Sequence, residues 1–266
     1  MLLFLSSFGL VTIAFVGVAL LERIPALQFR PAPLLRPYLS TDACWYVVAA
    51  SASALSSYVF QPVLSHLVSA SMRNAVAGLN GLARIAIAVA IFDLVAFVVH
   101  VNIHRIDALW NVHQVHHSSL HLDWLATTRT HMFEHMVRNV PAMATLFILG
   151  FSARTISLAI GIYALFAVHG HSNLDMNLRG TEWLFITPRL HRLHHIPATT
   201  QKNFGTVFSC WDRATRKLVR ADSSPDDLLG VPGERDTYPQ RFAVAAREPL
   251  RQNLKARRQV ARPVNR

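Results

Sequence analysis

Apolar residues gather in long runs, not in the alternation of strands or the stripes of soluble helices. Residues 1–22 hold no Lys or Arg, and their first acid is Glu22. As a helix such a run reaches about 33 Å, enough for a hydrocarbon core of about 30 Å. Its start, Met1-Leu2-Leu3-Phe4, lacks the positive charge of a removable signal, so an uncleaved membrane helix is expected. A weaker run spans 45–67 and contains Gln61 and Pro62; a stronger one spans 82–99, interrupted by Arg84 and Asp93. The run 140–168 has Arg154 near its middle. A single crossing would bury that arginine in lipid at about 2.5–3.5 kcal/mol. Splitting at Ser152-Ala153-Arg154 gives two arms of about 13 residues, each about 20 Å long and short of a full crossing. The pattern therefore predicts a hairpin that returns to the side it left, with Arg154 at its tip. The fold class expected is an all-α integral membrane bundle of about four embedded helices or hairpin arms.

Charge sets the orientation. Arg23, Arg30 and Arg36 follow the first run, and residues 241–266 carry eight basic side chains against one acid, Glu248. The positive-inside rule places both regions in the cytoplasm. Three crossings then bring His100 out at the cytoplasmic face, and the hairpin returns there at His169. The histidine-rich part becomes a cytoplasmic helical cap, most simply at a bacterial inner membrane. The organisation expected is 1–80, N-terminal transmembrane helices and linkers; 81–220, a catalytic domain including the hairpin 140–168; and 221–266, a basic, partly disordered tail. Residues 221–240 read as a loop that ends the folded part.

With 52% hydrophobic and 15% charged residues, an ordinary soluble enzyme and a disordered chain are both excluded. The net charge of +11 comes mostly from the tail. No set of stacking aromatics accompanies it beyond Phe242, so a solvated segment or one drawn to anionic headgroups is expected, not a nucleic-acid binder. Cys44 and Cys210 are too few for a disulfide framework or a thiolate zinc module.

The chemistry lies in the histidines. Of 14, 13 fall between His100 and His195. His100 and His104 are spaced i, i+4; His113, His116 and His117 are spaced i, i+3, i+4, and so are His191, His194 and His195. These spacings put the imidazoles of each set on one helical face. His169 and His171 follow the hairpin. Neutral imidazole is the commonest metal ligand, and eight or nine exceed what one ion takes, so two ions are expected. Zinc, copper, iron and nickel all suit such ligands. Open positions on iron suit O₂ chemistry, and a site at a membrane face suits an inert lipid C–H bond. Nothing in the chain resembles a flavin, haem or iron–sulfur module, so electrons would come from another protein.

Two rivals stand beside this. His131-Met-Phe-Glu134-His135 has the H-x-x-E-H spacing of a zinc metallopeptidase helix, but leaves the other clusters unexplained. A metal or haem carrier is the non-enzymatic alternative. Trp45, Trp124 and Tyr58 read as interface anchors. Trp110 and Trp183 read as packing around the cage, and Glu182, Asp107 and Asp123 as solvated or salt-bridged.

Over residues 90–218 the chain resembles the fatty acid hydroxylase/sterol desaturase superfamily of membrane di-iron enzymes. The residues that carry the likeness are Asp93, His100, His104, Leu109-Trp110, His113, His116, His117 and Ser118. They continue with Arg129 and His131, with His171-Ser172-Asn173, and with Thr187-Pro188 through His195. Asn203-Phe204-Gly205 and Trp211-Asp212-Arg213 close the set. The resemblance implies a dinuclear iron centre held by His100, His104, His113, His116, His117, His171, His191, His194 and His195, with His169 a further candidate. It makes Asp93, Asn173 and Asn203 groups that orient imidazoles. It implies O₂ as co-substrate and hydroxylation or desaturation of a lipid within the bilayer. The electron donor would be external, of ferredoxin, cytochrome or flavin reductase type. An isoprenoid or sterol desaturase, or a carotenoid-type hydroxylase, is the near alternative.

Overall fold

The structure, a computed structural model, describes residues 2–260 apart from 34, 66, 67, 177, 223, 225 and 226. In chain order the helices are α1 (Leu2–Leu21), α2 (Leu39–Ser65), α3 (Ala70–Ala77), α4 (Gly81–Ile103), α5 (Asp107–His117) and α6 (Met132–Ile148). They continue with α7 (Ala153–His171), α8 (Pro188–His195), α9 (Cys210–Ala214), α10 (Phe242–Ala245) and α11 (Glu248–Val260). Among the described residues the only β pairing is two isolated bridges, Gln28 with Leu174 and Phe185 with Phe208. The fold is all-α.

Among the described residues three helices are long and apolar enough to cross a membrane: 39–64 of α2, all of α4 and all of α7. In α1 the apolar segment so far described covers Val11–Leu21. Helices α4, α6 and α7 share the main core, where Phe92, Met143, Leu146 and Ile156 meet over Ala88, Ala96, Ala142 and Ala159. The small residues let the backbones approach closely, as bilayer-embedded packing requires. Helix α1 packs on α7, through Phe15, Val18 and Val168, and α2 packs on α6.

The apolar run 140–168 is broken where Arg154 lies. Gly150 takes φ +91°, and a Cβ there would stand 2.7 Å from the Met72 carbonyl. Ser152 then caps α7 by accepting the Thr155 amide at 3.3 Å. Arg154 is exposed. The two arms are longer than expected, 17 and 19 residues. Backbone hydrogen bonding carries each helix past the apolar run into the polar residues at its far end, so α7 alone has the length of a crossing.

The C-terminal region differs from its sequence expectation. The described residues of 221–240 form no helix or strand, yet Leu229, Val231 and Tyr238 are buried. Gln240 accepts from Arg129 at 2.8 Å and donates to the Ser118 carbonyl at 2.9 Å. Helix α11 lies along α5, with Asn253 accepting from Asn111 at 2.7 Å. Ala245 and Phe242 of α10 cover Val115 and Trp45. The folded part thus extends to α11, because these apolar side chains close over the outer face of α5. Residues 261–266, with Arg262 and Arg266, lie outside the described residues. Trp45 is accordingly a core residue, 1% exposed, and not an interface anchor.

Candidate metal centre

Each histidine set is delivered by the end of a helix. Helix α4 starts at the Asn80 cap and carries His100 in its last turn, with His104 as its C-cap. In α8, Thr187 accepts the Leu190 amide and Pro188 occupies the first turn, the preferred start for a helix. That start phases His191, His194 and His195 onto one buried face. Helix α5 supplies His113, His116 and His117, and the last residue of α7 is His171.

These side chains converge into two adjacent groups. His100, His104, His113, His117 and His194 form one, and His116, His171, His191 and His195 the other. Within each group the nearest ring nitrogens all lie within 4.8 Å of one another. All nine are buried. Helices α5 and α8 each serve both groups, so the groups abut: the His117 and His195 rings stack at 4.6 Å.

The outer nitrogens show what the inner ones do. His100 Nδ1 lies 2.9 Å from the Phe204 carbonyl oxygen, and His116 Nδ1 3.2 Å from that of Arg129. His171 Nδ1 lies 2.7 Å from the Ala167 carbonyl oxygen, and His194 Nδ1 2.8 Å from that of Lys202. His113 Nδ1 meets Glu134 Oε1 at 2.7 Å. A carbonyl or carboxylate only accepts, so Nδ1 carries the hydrogen in all five rings. In the neutral ring Nε2 is then a bare lone pair. Yet His100 Nε2 faces His113 Nε2 at 3.1 Å, and His116 Nε2 faces His171 Nε2 at 3.0 Å. Two lone pairs at that distance repel unless a cation lies between them. Two ligands on an ion with bonds of about 2.1 Å stand about 3.0–3.4 Å apart, so the spacing fits a shared metal. Nε2 of His117 and His194, and both ring nitrogens of His104, are buried with no partner.

Electrostatics point the same way. Burial first, then neighbouring imidazoles, hold His116, His117, His191 and His195 well below their ordinary pKa. Burial pushes His194 down to about 3, against the opposing effect of the Lys202 carbonyl. These five rings are neutral at pH 7, the form that binds metal. Burial alone would raise the Glu134 carboxyl, but His113 and Arg138 hold it below its usual range. Among the described residues Glu134 is the one acid hydrogen-bonded to a cage imidazole.

Asp93, Asn173 and Asn203 touch no imidazole. Asp93 accepts the amides of Val207 and Phe208 at 3.0 Å and the Trp211 indole at 2.9 Å. Asn203, at φ +53°, ties Leu190 to Val219. Asn173 pairs with the Arg30 backbone. They fix segments, and segments present carbonyls: Asp212 accepts the Phe204 and Gly205 amides at 2.8 Å and so aims the Phe204 carbonyl at His100. His169 is half-buried and stands outside both groups; its carbonyl accepts from Ser172. The H-x-x-E-H run does not assemble as a zinc site. His131 Nε2 meets the Ala246 carbonyl, His135 Nε2 meets Asn139, and Glu134 turns to His113. Trp110 packs on His104 at 4.7 Å, whereas Trp183 is exposed.

A cavity of about 250 Å³ opens onto His100, His116, His171 and His191. Its lining combines apolar side chains, Phe15 of α1, Ala50 of α2 and Ile160, Ala164 and Val168 of α7, with polar ones that include Arg138, Asn139 and Thr206.

A buried, histidine-lined centre at the ends of membrane-length helices defines a class of membrane metalloprotein. The sequence model of the fatty acid hydroxylase family matches residues 85–216, a stretch that contains all nine imidazoles. The chain belongs to that family. It is 29% identical over 154 residues to an ornithine lipid hydroxylase, OlsE, of Rhizobium tropici, covering 57% of this chain and 46% of the relative. It is 26% identical over 153 residues to the alkylglycerol monooxygenase of Caenorhabditis elegans, covering 56% of this chain and 29% of the relative. The match therefore spans less than half of either relative. No solved structure gives a significant match.

Proposed function

We propose that the chain is a membrane di-iron oxygenase that hydroxylates an unactivated C–H of a lipid, using O₂ and electrons supplied by another protein. The single observation that carries this reading is the pair of facing Nε2 lone pairs, His100 against His113 and His116 against His171. Each group would hold one ion, with His100, His104, His113, His117 and His194 around the first and His116, His171, His191 and His195 around the second. Bound iron supplies the activation of O₂ that an inert C–H requires. The chain supplies the rest. Five Nδ1 hydrogen bonds lock ring orientation, Glu134 offsets part of the positive charge, and the apolar part of the cavity would admit a hydrocarbon chain. The two relatives are named for lipid hydroxylation and monooxygenation, which favours hydroxylation over desaturation. The site would lie at the cytoplasmic face of a bacterial inner membrane, with the hairpin 140–168 in the bilayer and 81–220 as the catalytic unit.

The test is lipid profiling of cells under ¹⁸O₂, with the parent chain and with His117→Ala or His194→Ala. Parent cells should accumulate a lipid alcohol carrying ¹⁸O, and both variants should lose it while still inserting into membranes. Retained turnover in the variants refutes the ligand assignment; an alkene product identifies a desaturase.

A further inference from the structure

One face of the molecule carries unpaired positive charge directly outside a site built for metal cations. Lys217 Nζ stands 5.1 Å from the centroid of the Phe204 ring. That ring is buried and lies 5.0 Å from His104 and 5.3 Å from both His100 and His194. Arg105, just past the end of α4, is exposed, and Lys202, whose carbonyl holds His194, is half-exposed. The Asn203 amide donates to the Lys217 carbonyl at 3.1 Å, which brings the Lys202 and Lys217 segments together. Arg105 directly follows His104, whose ring lies 5.0 Å from Phe204. Partial burial, then the charges of Arg105 and Lys202, hold the Lys217 ammonium below its ordinary pKa. Among the described residues none of the three cations has an ion pair. The acid beside them, Asp212, is buried with both oxygens turned to the Phe204 and Gly205 amides. Exposed Arg213, Arg216 and Arg220 extend the patch along the same segment. Cations crowded over a site that would hold metal cations are repelled by it, and the acid acting on Lys217, Asp212, has both oxygens engaged by backbone amides. An anionic partner would.

We propose that this face, Arg105, Lys202 and Lys217 over Phe204, docks a small acidic one-electron carrier protein that reduces the metal centre. This deepens the oxygenase reading and rests on it. Hydroxylation of one C–H by O₂ takes two electrons and two protons and leaves one alcohol and one water, so two reduced carriers are oxidised per turnover. Phe204 packs against both Lys217 and three imidazoles of one group. Trp110, half-buried and 4.7 Å from His104, adds a second aromatic ring on the same group.

The experiment measures binding of an acidic [2Fe–2S] ferredoxin to the full chain in detergent by surface plasmon resonance, with basic cytochrome c as the contrast. Ferredoxin should bind, and binding should weaken steeply as salt rises. Arg105→Glu and Lys217→Glu should each weaken it about tenfold, with thermal midpoint and iron content unchanged, while Arg23→Glu leaves it unaltered. Equal affinity in the reversal variants overturns the docking surface. So does an absence of ferredoxin binding when phosphatidylglycerol vesicles bind and lose affinity in the same variants, which would assign the patch to lipid. Iron analysis of each preparation is independent: a chain without iron that still binds ferredoxin keeps the docking surface and sinks the oxygenase.

Discussion

Glu134 joins the cage imidazole of His113, at 2.7 Å, to Arg138, whose guanidinium also donates to Tyr163 at 2.9 Å. Its second oxygen is buried without a partner. Glu134→Gln keeps the shape and removes the charge. It should weaken iron binding about 10–100-fold, read as iron retained through a chelator series; unchanged retention would make Glu134 a packing residue. At this scale the sequence is informative only for side chains. Eight of the nine imidazoles stand out because their i, i+3 or i+4 spacing puts each set on one helical face, whereas His171 follows no such spacing. The carbonyls of Phe204, Arg129, Ala167 and Lys202 set four ring tautomers, and no residue type marks a carbonyl. Glu134 is visible in the sequence, but inside a peptidase-like run that conceals its true partner.

Helix ends decide where the imidazoles stand, and turns decide the helix ends. Gly150 is the turn between α6 and α7, with its positive φ and its approach to the Met72 backbone. Gly150→Ala should destabilise the fold by about 1–3 kcal/mol, measured as a lower thermal midpoint in detergent, with iron content per folded chain unchanged. An unaltered midpoint would mean that the turn relaxes freely. The break near Arg154 is legible because a charge interrupts an apolar run. The lengths of α6 and α7 are not, since both helices continue through His131–Met132 and His169–His171 on backbone hydrogen bonds. The tail misleads in the opposite sense. Its eight basic residues look like a solvated segment, while the few apolar ones, Phe242 and Ala245, decide that it folds back on Val115 and Trp45.

Across the whole molecule, Glu22 connects the end of α1 to the segments that flank the cage. Its Oε1 accepts the amides of Trp124 and Asn173, both at 2.9 Å. Burial pushes its carboxyl up from 4.5 to about 7, against the opposing effect of the Asn173 amide. Between those two values the folded chain keeps a proton that the unfolded chain has lost. The contribution of this group to stability is therefore complete below 4.5 and is lost as pH rises towards 7. Glu22→Gln should flatten that part of the midpoint-against-pH curve; an identical slope in the variant would show that Glu22 titrates normally. The class of molecule is legible from apolar runs and histidine spacing together, because membrane length and metal ligation each leave a periodic trace. A tie such as Glu22 joins residues 102 and 151 positions apart and leaves none.

Helices α5 and α8 interleave their ligands, with His113, His117 and His194 on one side and His116, His191 and His195 on the other. A rotation of either helix that emptied one pocket would misalign the other. Ferrous iron added stepwise to the stripped chain should thus fill both positions in a single sigmoidal transition, without a one-iron plateau. The centre would then behave as a latch with two bolts on one bar, so that the protein is either fully armed or inert.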